Sequence, residues 1–122
     1  MIWPWRRRKH KPVRFSELKW DVHSHIVPGV DDGAQDLEAS LEMVGHLAAM
    51  GYEGLVLTPH IMSDLYPNSK ATLQPAFDRL VKALNAAGLR MELRLAAEYL
   101  IEAETLAAIE AQDVLTFPCK DA

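Results

Sequence analysis

The sequence carries a single cysteine, Cys119, which excludes an intramolecular disulfide framework and any multi-cysteine zinc or iron–sulfur site. No apolar run approaches the ~20 residues that a membrane-spanning helix needs. There is no internal repeat, and no low-complexity stretch beyond the first 14 residues. The basic run near the N-terminus is not followed by the apolar stretch of about 7–15 residues that a secretory signal requires. What is present is a chain of 122 residues, 49% hydrophobic and 25% charged, with a formal net charge of −4. Apolar content near one half excludes a wholly disordered chain, and the length suits one domain or part of one. The charge is unevenly spread. Arg6, Arg7, Arg8, Lys9, Lys11 and Arg14 all fall within the first 14 residues, so the remainder is more acidic than the total suggests.

Residues 1–14 read as a basic, disordered tail, interrupted by Pro4 and Pro12 and without amphipathic period, and residues 15–122 as one domain. Trp3 and Trp5 beside the cations suit weak, salt-sensitive contact with anionic lipid or an acidic partner. From Phe15 onward strands and helices alternate. Lys19 to Val22 is a short strand. Asp36 caps a helix running to about Met50, with Leu37, Leu41, Val44 and Ala48 on one face and Gly51 as its stop. Gly54–Leu57 is an apolar strand that ends at Thr58-Pro59-His60. A helix follows from near Thr72, with Leu73, Phe77, Leu80, Val81 and Leu84 inward and Gly88 beyond its end. Met91 to Ala96 is a third strand, and Glu102 to about Ala111 a third helix. This alternation implies βαβ units and a parallel sheet, an α/β fold.

In parallel α/β proteins, functional groups gather at the carboxyl ends of the strands. Here His23 and His25 follow the first strand, His60 the second and Glu98 the third. In H-x-H on extended backbone both imidazoles face one side and can reach one ion, although two surface histidines would read the same way. Asp31-Asp32-Gly33 offers hard oxygen ligands, but it is equally an ordinary turn former. A carboxylate at position 98 could bridge two metals about 3.5–4 Å apart. Mixed nitrogen and oxygen donors suit manganese, iron or zinc better than magnesium or calcium. Asp64, Tyr66 and Asn68 lie in the loop after His60 and are candidates for a substrate entrance or for loop structure, whereas His46 reads as a helix residue and His10 as part of the tail. Cys119 is followed by Lys120, Asp121 and Ala122, without the nearby arginine of a thiol phosphatase loop, so that chemistry is not expected.

The strings from Asp21-Val-His-Ser-His-Ile-Val-Pro-Gly-Val-Asp-Asp-Gly33, from Thr58-Pro-His-Ile-Met-Ser-Asp-Leu-Tyr-Pro-Asn68, and from Ala97-Glu98-Tyr99 resemble the PHP (polymerase and histidinol phosphatase) superfamily. Within it they are most similar to the bacterial metal-dependent tyrosine-protein phosphatases of capsular and exopolysaccharide systems. The similarity runs from about residue 16 to about Phe117. The resemblance implies the N-terminal part of a distorted (β/α)₇ barrel, about three βα units, with a centre of two or three metals, usually manganese, iron or zinc being the alternatives. It implies that His23 and His25 bind a first metal and Glu98 bridges it to a second. Asp32 and His60 then serve a third, with Asp31 a ligand or a supporting neighbour and Tyr66 and Asn68 in a substrate loop. No catalytic side chain is assigned beyond the ligands.

The implied reaction is hydrolysis of phosphotyrosine by metal-activated water. The implied substrate is a phosphotyrosine protein, a bacterial tyrosine kinase regulating polysaccharide synthesis. The implied location is the cytoplasm, at the inner face of the membrane, with no nucleic-acid partner. The pattern also departs from the family. Members continue for roughly as many residues again, with another glutamate, a later histidine followed by arginine, and a terminal D-x-H. The sequence therefore reads as a truncated or frameshifted member or as a fragment, with Val114 to Phe117 as the lead-in to a next strand. Two other readings stand beside the tyrosine phosphatase: another PHP phosphoesterase, such as a histidinol phosphatase or a nuclease, and a catalytically dead interaction module.

Overall fold

A computed structural model of the chain describes residues 17–118. The basic tail and Cys119 lie outside those residues. The elements in order are β1 (Trp20–Asp21), α1 (Leu37–Ala49), β2 (Gly54–Leu57), β3 (His60–Ile61), α2 (Lys70–Ala86), β4 (Glu92–Leu95), β5 (Glu98–Tyr99) and α3 (Ala103–Glu110). Strands β1, β2 and β4 form one parallel sheet in that order, and β3 pairs with β5, also in parallel. Val44 of α1 and Ala76, Leu80 and Leu84 of α2 share one buried core with Leu55 and Leu57 of β2. Strand order thus follows chain order, with both helices packed into one core. This is the winding of a βα barrel rather than of a doubly wound sheet. The expected α/β fold is the one the chain forms, and among the described residues no helix is long and apolar enough to cross a membrane.

Local chemistry explains the helix ends. Asp36 Oδ1 accepts the Ala39 N–H at 2.8 Å, closing the first turn of α1. Gly51, just past the other end, has φ +99°, a conformation in which a side chain is strained. Helix α2 starts two residues earlier than Thr72, because Ser69 and Thr72 form a reciprocal capping box in front of it. On α2, Leu73, Leu80 and Leu84 are buried as expected, with Phe77 and Val81 half-buried. Helix α1 departs from expectation. Leu37 is exposed and Ala48 half-buried, whereas Ser40 and Val44 are buried. Ser40 is tolerated there because its hydroxyl donates to the Ile26 carbonyl at 2.7 Å. That bond ties the loop after β1 to α1.

The β3–β5 pair was not legible as separate strands, yet it places the site. Gly54 pairs with Glu92, and His60 pairs with Glu98 in unchanged register. Pro59 has no N–H to offer the ladder, which is why the strand pair is broken there. Its carbonyl still accepts the Glu98 N–H at 3.0 Å, between Ala96 N–H to Leu57 O at 2.9 Å and Leu100 N–H to Ile61 O at 3.3 Å. The ladder therefore runs on, and it sets His60 directly opposite Glu98. Residues 114–117, expected as the lead-in to a further strand, are irregular. The Leu115 N–H donates to the Tyr99 hydroxyl at 2.8 Å and Arg94 Nη1 donates to the Pro118 carbonyl at 3.2 Å. Beside these bonds Phe117 lines an open pocket of about 390 Å³ with Trp20, Val22, Val56 and Arg94.

Candidate metal centre

The loop after β1 is anchored by its apolar middle. Ile26, Val27 and Pro28 are buried, leaving His23 and His25 on one side and Asp31 and Asp32 on the other. The Ala34 N–H donates to the His25 carbonyl at 2.9 Å and the Thr58 N–H to the Ser24 carbonyl at 2.8 Å. Gly33 passes so close to His25 that a Cβ there would overlap the histidine's carbonyl and Cβ. Its lack of a side chain is therefore needed for the approach, beyond any preference of the turn.

Six residues singled out from the sequence come together in two groups that share His25. One holds His23, His25 and Glu98; the other holds His25, Asp31, Asp32 and His60. His25 Nε2 lies 3.3 Å from His23 Nε2 and 3.1 Å from Glu98 Oε2, and His23 Nε2 is 3.3 Å from the same oxygen. Nitrogen and oxygen ligands bound at about 2.0–2.2 Å sit about 3.0–3.4 Å from one another, so this triangle has the edges of a coordination sphere. His60 Nδ1 is 3.6 Å from Glu98 Oε2, and His60 Nε2 is 3.4 Å from Asp32 Oδ1. The His60 ring tilts over His25 at 4.4 Å and stacks on Tyr66 at 5.4 Å, 12° from parallel.

Hydrogen bonding shows what the groups want. His25 Nδ1 lies 2.9 Å from Asp31 Oδ2, and a carboxylate there can only accept, so Nδ1 carries a proton. In the neutral ring Nε2 is then a bare lone pair. It faces the carboxylate of Glu98 at 3.1 Å, acceptor against acceptor. Only a proton on one of the two groups or a cation between them makes that contact favourable. His60 Nδ1 is buried with no hydrogen-bond partner, a costly state that a ligand role would relieve. The donor set fits a divalent transition metal.

Around these groups lies a supporting shell. Thr58 Oγ1 is 3.2 Å from His23 Nδ1 and accepts the Ser24 N–H at 3.1 Å. Thr58 was not singled out from the sequence; its place two residues before His60, at a strand end, was the available signal. Asp31 is buried, which pushes its carboxyl up, but the bonds from His25 and from the His60 and Gly33 N–H groups outweigh this. Its pKa is held below the ordinary value. Asn68 Nδ2 donates to the carbonyls of Val30 at 2.8 Å and His60 at 3.0 Å, and its Oδ1 accepts from Thr72 at 3.2 Å. That amide brackets the loop, while Tyr66 lies against the site through His60. Asp64 and His46 are exposed.

The chain is similar to known proteins. Residues 19–121 match the family model described as capsular polysaccharide synthesis, CpsB/CapC. The tyrosine-protein phosphatase YwqE of Bacillus subtilis (strain 168) is 39% identical over 64 residues, which are 52% of this chain and 25% of that protein. A crystal structure reported for YwqE from Bacillus subtilis and CpsB from Streptococcus pneumoniae, described as unique metal-dependent tyrosine phosphatases, is similar at TM-score 0.72 and 30% identity. It covers 80% of this chain and 39% of that one. The chain thus spans well under half the length of the relatives it matches.

Proposed function

Because the chain belongs to the CpsB/CapC family of capsular polysaccharide synthesis, we propose that its histidine and carboxylate groups are the metal-binding part of a protein-tyrosine phosphatase site. The observation that supports this best is the approach of the bare His25 Nε2 to Glu98, beside an unpartnered His60 Nδ1. In this reading His23, His25 and Glu98 hold one ion, Glu98 reaches a second, and Asp32 and His60 serve a further one. Manganese is the proposed metal because the family resemblance implies it; the mixed nitrogen and carboxylate oxygen donors by themselves suit manganese, iron or zinc. A divalent cation held there supplies Lewis acidity toward water and toward phosphate oxygens.

The chain's own residues do the rest. Asp31 and Thr58 engage Nδ1 of His25 and His23, and both Nε2 atoms face the cluster. The stacked ring of Tyr66 covers one face of His60, and an aromatic wall of this kind suits a phenyl phosphate. The proposed substrate is a phosphotyrosine protein, a bacterial tyrosine kinase of polysaccharide synthesis, met at the inner face of the membrane. The basic residues 1–14 are proposed to add weak contact with anionic lipid there. Anionic liposomes that sediment the chain equally well without residues 1–14 would remove that part.

The activity is tested with manganese and a phosphotyrosine peptide, beside histidinol phosphate and an oligonucleotide. Two proteins are assayed, the chain itself and a longer one extended to the length of its relatives. Phosphate release from the phosphotyrosine peptide by at least the longer protein, abolished by a chelator, is expected. Preference for either other substrate, or no release by either protein, would overturn the reading.

A further inference from the structure

Asp31 and Asp32 are adjacent and chemically identical, yet their surroundings differ completely. The Asp31 side chain is 0% exposed and that of Asp32 is 63% exposed. Asp31 Oδ1 accepts the Gly33 N–H at 3.0 Å. Its Oδ2 lies 2.9 Å from His25 Nδ1 and also accepts the His60 N–H at 3.0 Å. One oxygen therefore touches the ring of a histidine from the first loop and the main chain of a histidine from the second. The circuit closes on the far side, since Asn68 Nδ2 donates both to the His60 carbonyl and to the carbonyl of Val30, the neighbour of Asp31. His60 is thus held at its N–H by Asp31 and at its C=O by Asn68.

We propose that Asp31 is a positioning residue rather than a ligand: through a single buried oxygen it fixes the tautomer of His25 and the placement of His60, and so couples the two metal groups. Both of its oxygens are already engaged by N–H donors and its side chain is closed to solvent, whereas Asp32 is exposed and lies beside His60 Nε2 with room to turn toward an ion. With Nδ1 of His25 held as donor, Nε2 is kept as lone pair for the site. The inference rests on the metal-centre reading for its consequence, though not for the tautomer itself.

Two readouts separate the possibilities. The first is 15N NMR of the histidine rings in the metal-free chain, at a pH where they are neutral, comparing wild type with Asp31→Asn. An amide at position 31 must turn its NH2 toward one of the three N–H donors, so the bonding set cannot be kept. His25 is expected to be in the Nδ1–H form in the wild type and to lose that preference in the variant, while His46 stays unchanged. The second is manganese affinity, expected to fall about 10–100-fold in Asp31→Asn but not in Glu42→Gln, an exposed charge control on α1. Circular dichroism and urea unfolding establish that each variant is folded. Loss of stability with the tautomer and affinity of wild type would show a purely structural turn residue and overturn the proposal. If Asp31→Asn does not fold, a wild-type His25 that is not in the Nδ1–H form overturns it equally. A wild type with the expected tautomer but no metal binding would instead defeat the metal-centre reading.

Discussion

Replacing Glu98 with glutamine is expected to abolish high-affinity metal binding while leaving the metal-free protein as stable as wild type, or more so. Glu98 Oε2 lies 3.3 Å from His23 Nε2, 3.1 Å from His25 Nε2 and 3.6 Å from His60 Nδ1, which makes it the meeting point of three rings. Its negative charge is the main electrostatic attraction the first group offers a cation. The expected loss in affinity is at least about 100-fold, above the roughly 10–100-fold that follows removal of a ligand's outer partner. At a pH where the His25 ring is neutral, stability responds oppositely, because the carboxylate then faces a bare nitrogen in the metal-free state. A glutamine amide can donate to that nitrogen and removes the repulsion. Titration calorimetry with manganese and thermal unfolding in chelator measure the two halves. Unchanged affinity, or a large loss of metal-free stability, would count against Glu98 as a ligand.

The second large effect concerns the scaffold. Leu80 is fully buried on α2, in the cluster shared with Val44, Leu55 and Leu57. Leu80→Ala is expected to destabilise by about 2–5 kcal/mol, transfer and cavity costs together. Small domains typically have about 5–15 kcal/mol in total, so a large part of the margin would be lost. The midpoint of urea unfolding should fall with little change in slope. Manganese affinity of the protein that remains folded should be close to wild type, since Leu80 is on the core side of the sheet and the ligands are at the strand ends. A drop below about 1 kcal/mol would mean that α2 is not held by this core.

Much of this was legible in the sequence for identifiable reasons. Asp36, Gly51 and Gly88 mark helix ends through chemistry confined to one turn, and each acts where it was expected to act. The apolar strand Gly54–Leu57 announced itself by composition. His23, His25, His60 and Glu98 could be picked out because strand ends are where such side chains are functional. What was hidden depends on pairing over distance. The continuation of the ladder past Pro59, which puts His60 opposite Glu98, follows from a register set by Gly54 and Glu92. The helical period of α1 could not say that Ser40 would be buried and Leu37 exposed, because the deciding bond goes to Ile26 in another segment. The family resemblance put Asp32 on a metal but left Asp31 either a ligand or a supporting neighbour, and the turn composition of Asp31-Asp32-Gly33 could not decide. A turn of chain buries one and exposes the other, and only the fold shows which.

The central claim is that the histidines and carboxylates at these strand ends form a metal centre. It is tested most directly by anomalous diffraction at the manganese edge, from crystals of the chain grown with manganese. The account predicts an anomalous peak bounded by His23 Nε2, His25 Nε2 and the Glu98 carboxylate, about 2.0–2.4 Å from each. A map with no peak there, in which a protonated His25 is hydrogen-bonded directly to Glu98, would contradict it.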